Sequence, residues 1–314
     1  MRDIKTDFGN GSFLANKENN FNNKPILREQ HNRQFGKPID TNSKSTYPLR
    51  TTPKPLTLDY HDNILSHLKQ SEERYRVDPD YFSNQREITS TMRSILVDWL
   101  VDVSVRFRLQ QQTLFLTVNV LDRFLSRESV TKNDLQLVGV STLMLCSKYQ
   151  EIYPPPLNDF VKVCDNAYSQ QQILDFESFV ILTIDFDLTQ PTSLSFLDHF
   201  QLHLCLNERA VSFCKYILET ALLAKSSNGF KNSELASGAI LLIFKIFKTE
   251  NWKDRFQSNV LSDERTSRSS AKLLCQLIQG IDDSSLRAVK RKYSTNEYHE
   301  VSKYKIERIE SPKQ

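Results

Sequence analysis

A chain of 314 residues can hold two domains with separate cores, and 39% hydrophobic with 25% charged residues is a globular composition diluted by something polar. The formal net charge of +3 removes any general drive toward nucleic acid or an anionic membrane. Met1-Arg2-Asp3-Ile4-Lys5 lacks the apolar block of a signal peptide, and the densest apolar run, Ala239 to Phe244, is far too short to span a bilayer.

Residues 1–57 open with the Asn-rich NKENNFNNK, and five of the eleven prolines fall between Pro25 and Pro55. No apolar period is sustained there, so the segment is predicted to be a disordered tail that buries too little to offset chain entropy. From Leu58 to about Lys292 the pattern is helical, with glycine only at Gly139, Gly229, Gly238 and Gly280. Helices are predicted over 58–76, 91–107, 111–126, 133–149, 157–164, 169–185, 193–203, 208–225, 233–248, 269–280 and 284–292. Pro154, Pro155 and Pro156 force an extended connector, and Asn228-Gly229 marks a further break.

Leu135 and Leu235, Gly139 and Ala239, Leu143 and Ile243, and Lys148 and Lys248 share one offset, and KNDLQLVG (132–139) resembles KNSELASG (231–238). Either these stretches are the central helices of two repeated halves, with a seam near LTQPT (188–192), or two apolar helices are alike by chance. The five cysteines are odd in number, irregularly spaced and mostly within apolar helical patterns. They read as reduced core thiols of a cytosolic or nuclear protein.

MRSILVDWL (92–100) places Met92, Ile95, Leu96, Trp99 and Val103 on one helical stripe, with Val97, Leu100 and Val101 largely on the other side. Such a helix is either surrounded by its own domain or covered by a partner. Arg93 interrupts it, and a charge near a core must be paired. Asp122, in LDRFLS on the next amphipathic helix, is the expected partner, in a structural ion pair that fixes how the two helices cross.

MRSILVDWLVDV, LFLTVNVLDRFLS, LQLVGVSTLMLCSKYQEIYPP and FESFVILTIDFDL, in this order, resemble the cyclin box of A- and B-type (mitotic) cyclins. A second box carries SELASGAILLIF and VKRKYSTNEYHEVS, and LDYHDNIL before the first box leans toward the A type. The resemblance implies an all-α fold of two tandem five-helix bundles with an extra N-terminal helix. Its divisions are a tail over 1–57, a first box with its preceding helix over 58–190, a second box over 191–295 and a C-terminal tail over 296–314. It implies no catalytic site, cofactor or metal. The expected role is a non-catalytic activator that binds a cyclin-dependent kinase, repositions its αC helix and orders its activation loop.

By resemblance, Lys148 and Glu177 grip backbone groups of the kinase, and Leu145, Tyr149, Ile181 and Phe186 are apolar contacts on the same surface. Tyr60 and Ile64 match contacts of the N-terminal helix. Met92, Ile95, Leu96, Trp99, Leu135 and Gln136 match a shallow groove for Arg-x-Leu-type substrates and inhibitors, with Asp102 meeting their basic residue. Many relatives carry Glu where this chain has Asp102 and Arg where it has Lys132. Lys17, Glu18 and Asn19 resemble a KEN degradation signal for a ubiquitin ligase of the anaphase-promoting type, with no R-x-x-L box in the tail. Thr52-Pro53 and Ser311-Pro312 are minimal proline-directed sites and read as ordinary tail. Cell-cycle-dependent residence in nucleus and cytoplasm is the expected localisation.

An enzyme reading finds no G-x-G-x-x-G, P-loop, H-E-x-x-H or G-x-S-x-G. His199 and His203, with Cys205 nearby, read as two half-exposed helix histidines, since no further ligand pattern accompanies them. The alternative is a cyclin-fold transcription adaptor of the factor-IIB type, which binds promoter DNA. That class needs a zinc ribbon and a basic surface, whereas the first cysteine here is Cys146 and VKRKY (289–293) reads as a helix cap.

Overall fold

A computed structural model of the chain describes residues 60–247, 256 and 264–304, and every regular element among them is helical. The chain divides into the units Met1–Tyr60 and His61–Gln314, and the described helices belong to the second. α1 (His61–Glu72) is followed by short 3-10 turns at Glu73–Tyr75 and Tyr81–Asn84. α2 (Ser90–Phe107), α3 (Gln111–Arg127), α4 (Leu135–Gln150), α5 (Leu157–Val163) and α6 (Gln170–Thr183) form a first bundle. α7 (Ser193–Leu204), α8 (Glu208–Leu222), α9 (Asn232–Ile246) and α10 (Glu264–Gly280) form a second, and α11 (Ala288–Lys292) lies against α2 and α8.

The helices begin where side chains satisfy their first amides. Thr89 accepts from the Met92 amide at α2, and Asn207 from the Ala210 amide at α8. Ser169 with Gln172 and Thr192 with Ser195 form reciprocal capping boxes at α6 and α7. α2 ends at Arg108, which adopts a left-handed φ of 53°. The expected helix 58–76 stops at Glu72 and continues only as a 3-10 turn, and the helix expected over 284–292 is confined to α11. α10 begins earlier than expected, at Glu264, where Glu264 and Arg268 pair one turn apart. Its first turn is polar, so apolar periodicity could not reveal it.

α4 and α9 are the central helices of the two bundles. α4 is buried from Leu137 to Met144 without a break, and α9 from Ser233 to Phe244 apart from Glu234. α4 packs against α2, α3, α5 and α6, while α9 packs against α7, α8 and α10. A glycine lets each approach a neighbour closely: a Cβ on Gly139 would lie 2.7 Å from Leu96 Cδ1, and one on Gly238 would lie 2.9 Å from the Ala271 amide nitrogen.

Cys146, Cys164, Cys214 and Cys275 are buried free thiols, and burial pushes those of Cys146 and Cys164 up to about 12. Cys205 departs from the core assignment. It occupies the exposed left-handed end of α7. None of the helices among the described residues is long and apolar enough to cross a membrane.

Candidate docking surfaces

The structure brings Arg93 and Asp122 together in the buried interior. Arg93 is 1% exposed, and its Nε and Nη2 donate to the two Asp122 oxygens at 2.7 and 2.6 Å. Tyr81 Oη (2.8 Å) and Asn228 Nδ2 (3.3 Å) donate to the same carboxylate, so each oxygen receives two donors. Burial opposes the Arg93 charge and Asp122 more than offsets it, while burial and then Asp122 push the Tyr81 hydroxyl well above its ordinary value. Arg93 Nη1 also donates to the Leu222 carbonyl at 2.6 Å, and Ser94 Oγ to the Leu223 carbonyl at 2.6 Å. The pair therefore holds α2 to α3 and also caps the end of α8, joining the two bundles. Glu72 makes a second joint, accepting from the Ser233 amide and hydroxyl at the start of α9.

A first surface spans α4 and α6. Lys148 Nζ donates to Glu177 Oε2 at 2.7 Å, with the lysine half exposed and the carboxylate largely covered. Leu145 and Ile181 are half-buried, while Tyr149 and Phe186 are exposed. Ile64, on α1, is half-buried, and Tyr60 is exposed.

Sequence reasoning missed four further exposed apolar residues of these segments: Ile152, Tyr153, Phe179 and Leu182. Ile152 is 82% exposed and Tyr153 79%, because the proline run that follows keeps this connector from folding back. On α6 only Ile173 and Val180 are fully buried, which leaves Phe179 and Leu182, three residues apart, facing outward. The signal for these four was available: apolar residues before a triple proline, and apolar residues off the buried stripe of α6.

Two arginines of α3 shape the end of this surface, and both were also missed. Arg127 donates to the Thr183 carbonyl and, at 2.9 Å, to Asp185. Arg123 donates to the Asp187 carbonyl at 2.8 Å. They cap α6 where Asp185 and Phe186 turn left-handed with φ of 57° and 58°. Phe186, 68% exposed, is thus held out from the bundle by a backbone conformation that non-glycine residues seldom adopt.

A second surface lies between α2 and α4. Met92, Ile95, Trp99 and Gln136 are half-buried around a floor of Leu96 and Leu135, which are fully buried. The close approach allowed by Gly139 makes that floor continuous across the two helices. At one edge Asp102 is paired within the chain, since Arg291 Nη2 donates to both its oxygens at 2.5 Å. VKRKY is accordingly no simple helix cap. Lys290 pairs with Asp282, Arg291 with Asp102 and Lys292 with Glu219.

Lys17, Glu18 and Asn19, Thr52-Pro53 and Ser311-Pro312 lie outside the described residues. His199 is not half-exposed but buried, because it shares the inward face of α7 with Phe196 and Phe200. Its ring lies 5.3 Å from that of His203, and the described residues contain no group of three or more His, Cys, Asp or Glu placed to hold a metal ion.

Residues 63–189 match the N-terminal cyclin domain and 191–307 the C-terminal cyclin domain. The chain is 35% identical over 248 residues to a G2/mitotic-specific cyclin-B of Hydra viridissima, covering 79% of this chain and 63% of that protein. It is 34% identical over 245 residues to a G2/mitotic-specific cyclin-A of Patella vulgata, covering 78% of this chain and 58% of that protein. These identities do not separate the A type from the B type, and the chain spans less than two thirds of either relative. Among solved structures, a viral cyclin from herpesvirus saimiri superposes with a TM-score of 0.63 at 18% identity, covering 69% of this chain and 96% of that one. A chain of the yeast RNA polymerase II CTD kinase complex CTDK-1 gives 0.54 at 14% identity, covering 70% and 74%. These likenesses concern the fold, whereas the two domain matches cover most of the sequence: the protein belongs to the cyclin family.

Proposed function

We propose that the protein is the regulatory subunit of a cyclin-dependent kinase in S, G2 and M phases, activating the kinase through the α4–α6 surface without chemistry of its own. The supporting observation is the set of exposed apolar side chains Tyr149, Ile152, Tyr153, Phe179, Leu182 and Phe186 on the segments that carry the Lys148–Glu177 pair. So many exposed large apolar side chains with two charges among them suit a protein interface. A bound kinase that excludes water strengthens hydrogen bonds from Lys148 to carbonyls and from amides to Glu177. Activation follows if the surface binds the active kinase conformation better than the inactive one, and its extent is bounded by that difference. The α2–α4 groove is proposed to recruit substrates and inhibitors by their leucine. The Lys17–Asn19 tripeptide is proposed to serve a ubiquitin ligase of the anaphase-promoting type, and residence in nucleus and cytoplasm to follow the cell cycle. The factor-IIB-type alternative gains no support from VKRKY, whose three cations are already paired.

The double variant Lys148→Ala, Glu177→Ala tests the assignment. Because both charges are removed together, no unpaired charge is left on the surface. The melting temperature should stay near that of the wild type, while activation of a purified cyclin-dependent kinase on a histone-type substrate is lost. A folded double variant that activates normally refutes the proposal.

A further inference from the structure

We infer that Arg291, on the protein's own last helix, occupies the acidic edge of the α2–α4 groove, so that the groove selects docking segments by their apolar anchor and not by a basic residue. The inference rests on reading that groove as a docking site, and it names the class of segment the groove accepts.

α2 carries two carboxylates one turn apart beside the apolar stripe, Asp98 and Asp102, and α11 engages both. Asp98 accepts from the Ala288 amide at 3.0 Å and the Arg287 amide at 3.3 Å, covering the start of α11. Asp102 receives Arg291 Nη2 on both oxygens. An incoming arginine or lysine would have to displace a guanidinium already in place. It would also approach a rim where Arg291, 64% exposed along its side chain, adds its own positive charge.

An exposed ion pair alone would be too weak to impose this, because holding two long side chains in one geometry costs entropy. Here α11 bears much of that ordering. Val289 and Tyr293 are 1% and 0% exposed, and Lys292, adjacent to Arg291, donates to both oxygens of the buried Glu219 at 2.8 and 2.7 Å. The backbone of Arg291 is thus fixed from both sides, and only its side chain remains to be ordered. The floor of Leu96 and Leu135 with its half-buried rim of Met92 and Ile95 is left to take a leucine.

Fluorescence anisotropy on the full chain with two synthetic peptides, one carrying Arg-x-Leu and the other Ala-x-Leu in its place, tests the inference. The wild type should bind both within about twofold. Arg291→Ala and Arg291→Gln, the latter keeping much of the side-chain stem, should both bind the Arg-x-Leu peptide about fivefold tighter, the scale of one exposed pair. Their affinity for the Ala-x-Leu peptide should not change, and adding Asp102→Asn should cancel the gain. A wild type that already prefers the Arg-x-Leu peptide by about tenfold, or a preference unmoved in both Arg291 variants, overturns the inference while leaving the groove intact. If neither peptide binds the wild type or the Arg291 variants, the groove reading falls and this inference with it.

Discussion

The two bundles hold a buried acid at matching places and neutralise it differently. Asp122 and Glu219 each lie eleven residues beyond the first residue of their helix, Gln111 of α3 and Glu208 of α8. Each accepts from a tyrosine hydroxyl, Tyr81 at 2.8 Å and Tyr293 at 2.9 Å. The cation differs. Asp122 meets the fork of Arg93, which also reaches the end of α8, whereas Glu219 meets the ammonium of Lys292 from α11. An arginine has enough fixed donors to serve a carboxylate and a distant carbonyl together, while a lysine offers a point charge. Tyr293 supplies the cross-bundle link that Lys292 lacks, since Gln111 Nε2 donates to its hydroxyl at 2.7 Å. Each bundle thus closes its buried acid and ties itself to the other half, by different residues.

Removing one partner from each pair breaks this comparison most sharply. Asp122→Ala should destabilise the protein by about 4 kcal/mol in urea unfolding, because Arg93 remains buried and its guanidinium cannot shed a proton. Lys292→Met should cost somewhat less, about 3 kcal/mol, since Glu219 keeps the Tyr293 hydroxyl as a donor. Equal losses of stability in the two variants would contradict the distinction.

The smallest expected difference concerns the central helices. Alanine at Gly238 would meet the backbone of Ala271 as well as Ser270, whereas alanine at Gly139 would meet the flexible side chain of Leu96. Gly238→Ala should cost about 2 kcal/mol and Gly139→Ala about 1 kcal/mol by thermal or urea unfolding, since backbone cannot move aside as a side chain can. The aligned stretches containing these glycines also hide a difference in partner. Gly139 faces α2, the first helix of its bundle, while Gly238 faces α10, the last described helix of the other.

Much of this architecture was legible in the chain. Helix positions followed from apolar periodicity and sparse glycine. The boundaries that slipped are those with polar turns, as at Glu264. Arg93 stood out because it interrupts an apolar stripe, and Lys148 and Glu177 because their motifs have relatives. Nothing local distinguished Lys292 or Arg291 from a basic helix cap, Glu219 from an ordinary helix acid, or Arg123 and Arg127 from exposed charges. Ile152, Tyr153, Phe179 and Leu182 were passed over because an apolar residue in a helical protein is expected inside.

The amino-acid order by itself determined where helices start, stop and turn an apolar face inward, since those preferences act over three or four residues. Which charges meet was decided by the packed structure, because Asp102 and Arg291, or Glu219 and Lys292, become neighbours only once α11 lies on α2 and α8. A residue's spacing reports its partners within a turn or two of its own helix. The desolvation that makes a distant partner necessary arises only when the bundles close.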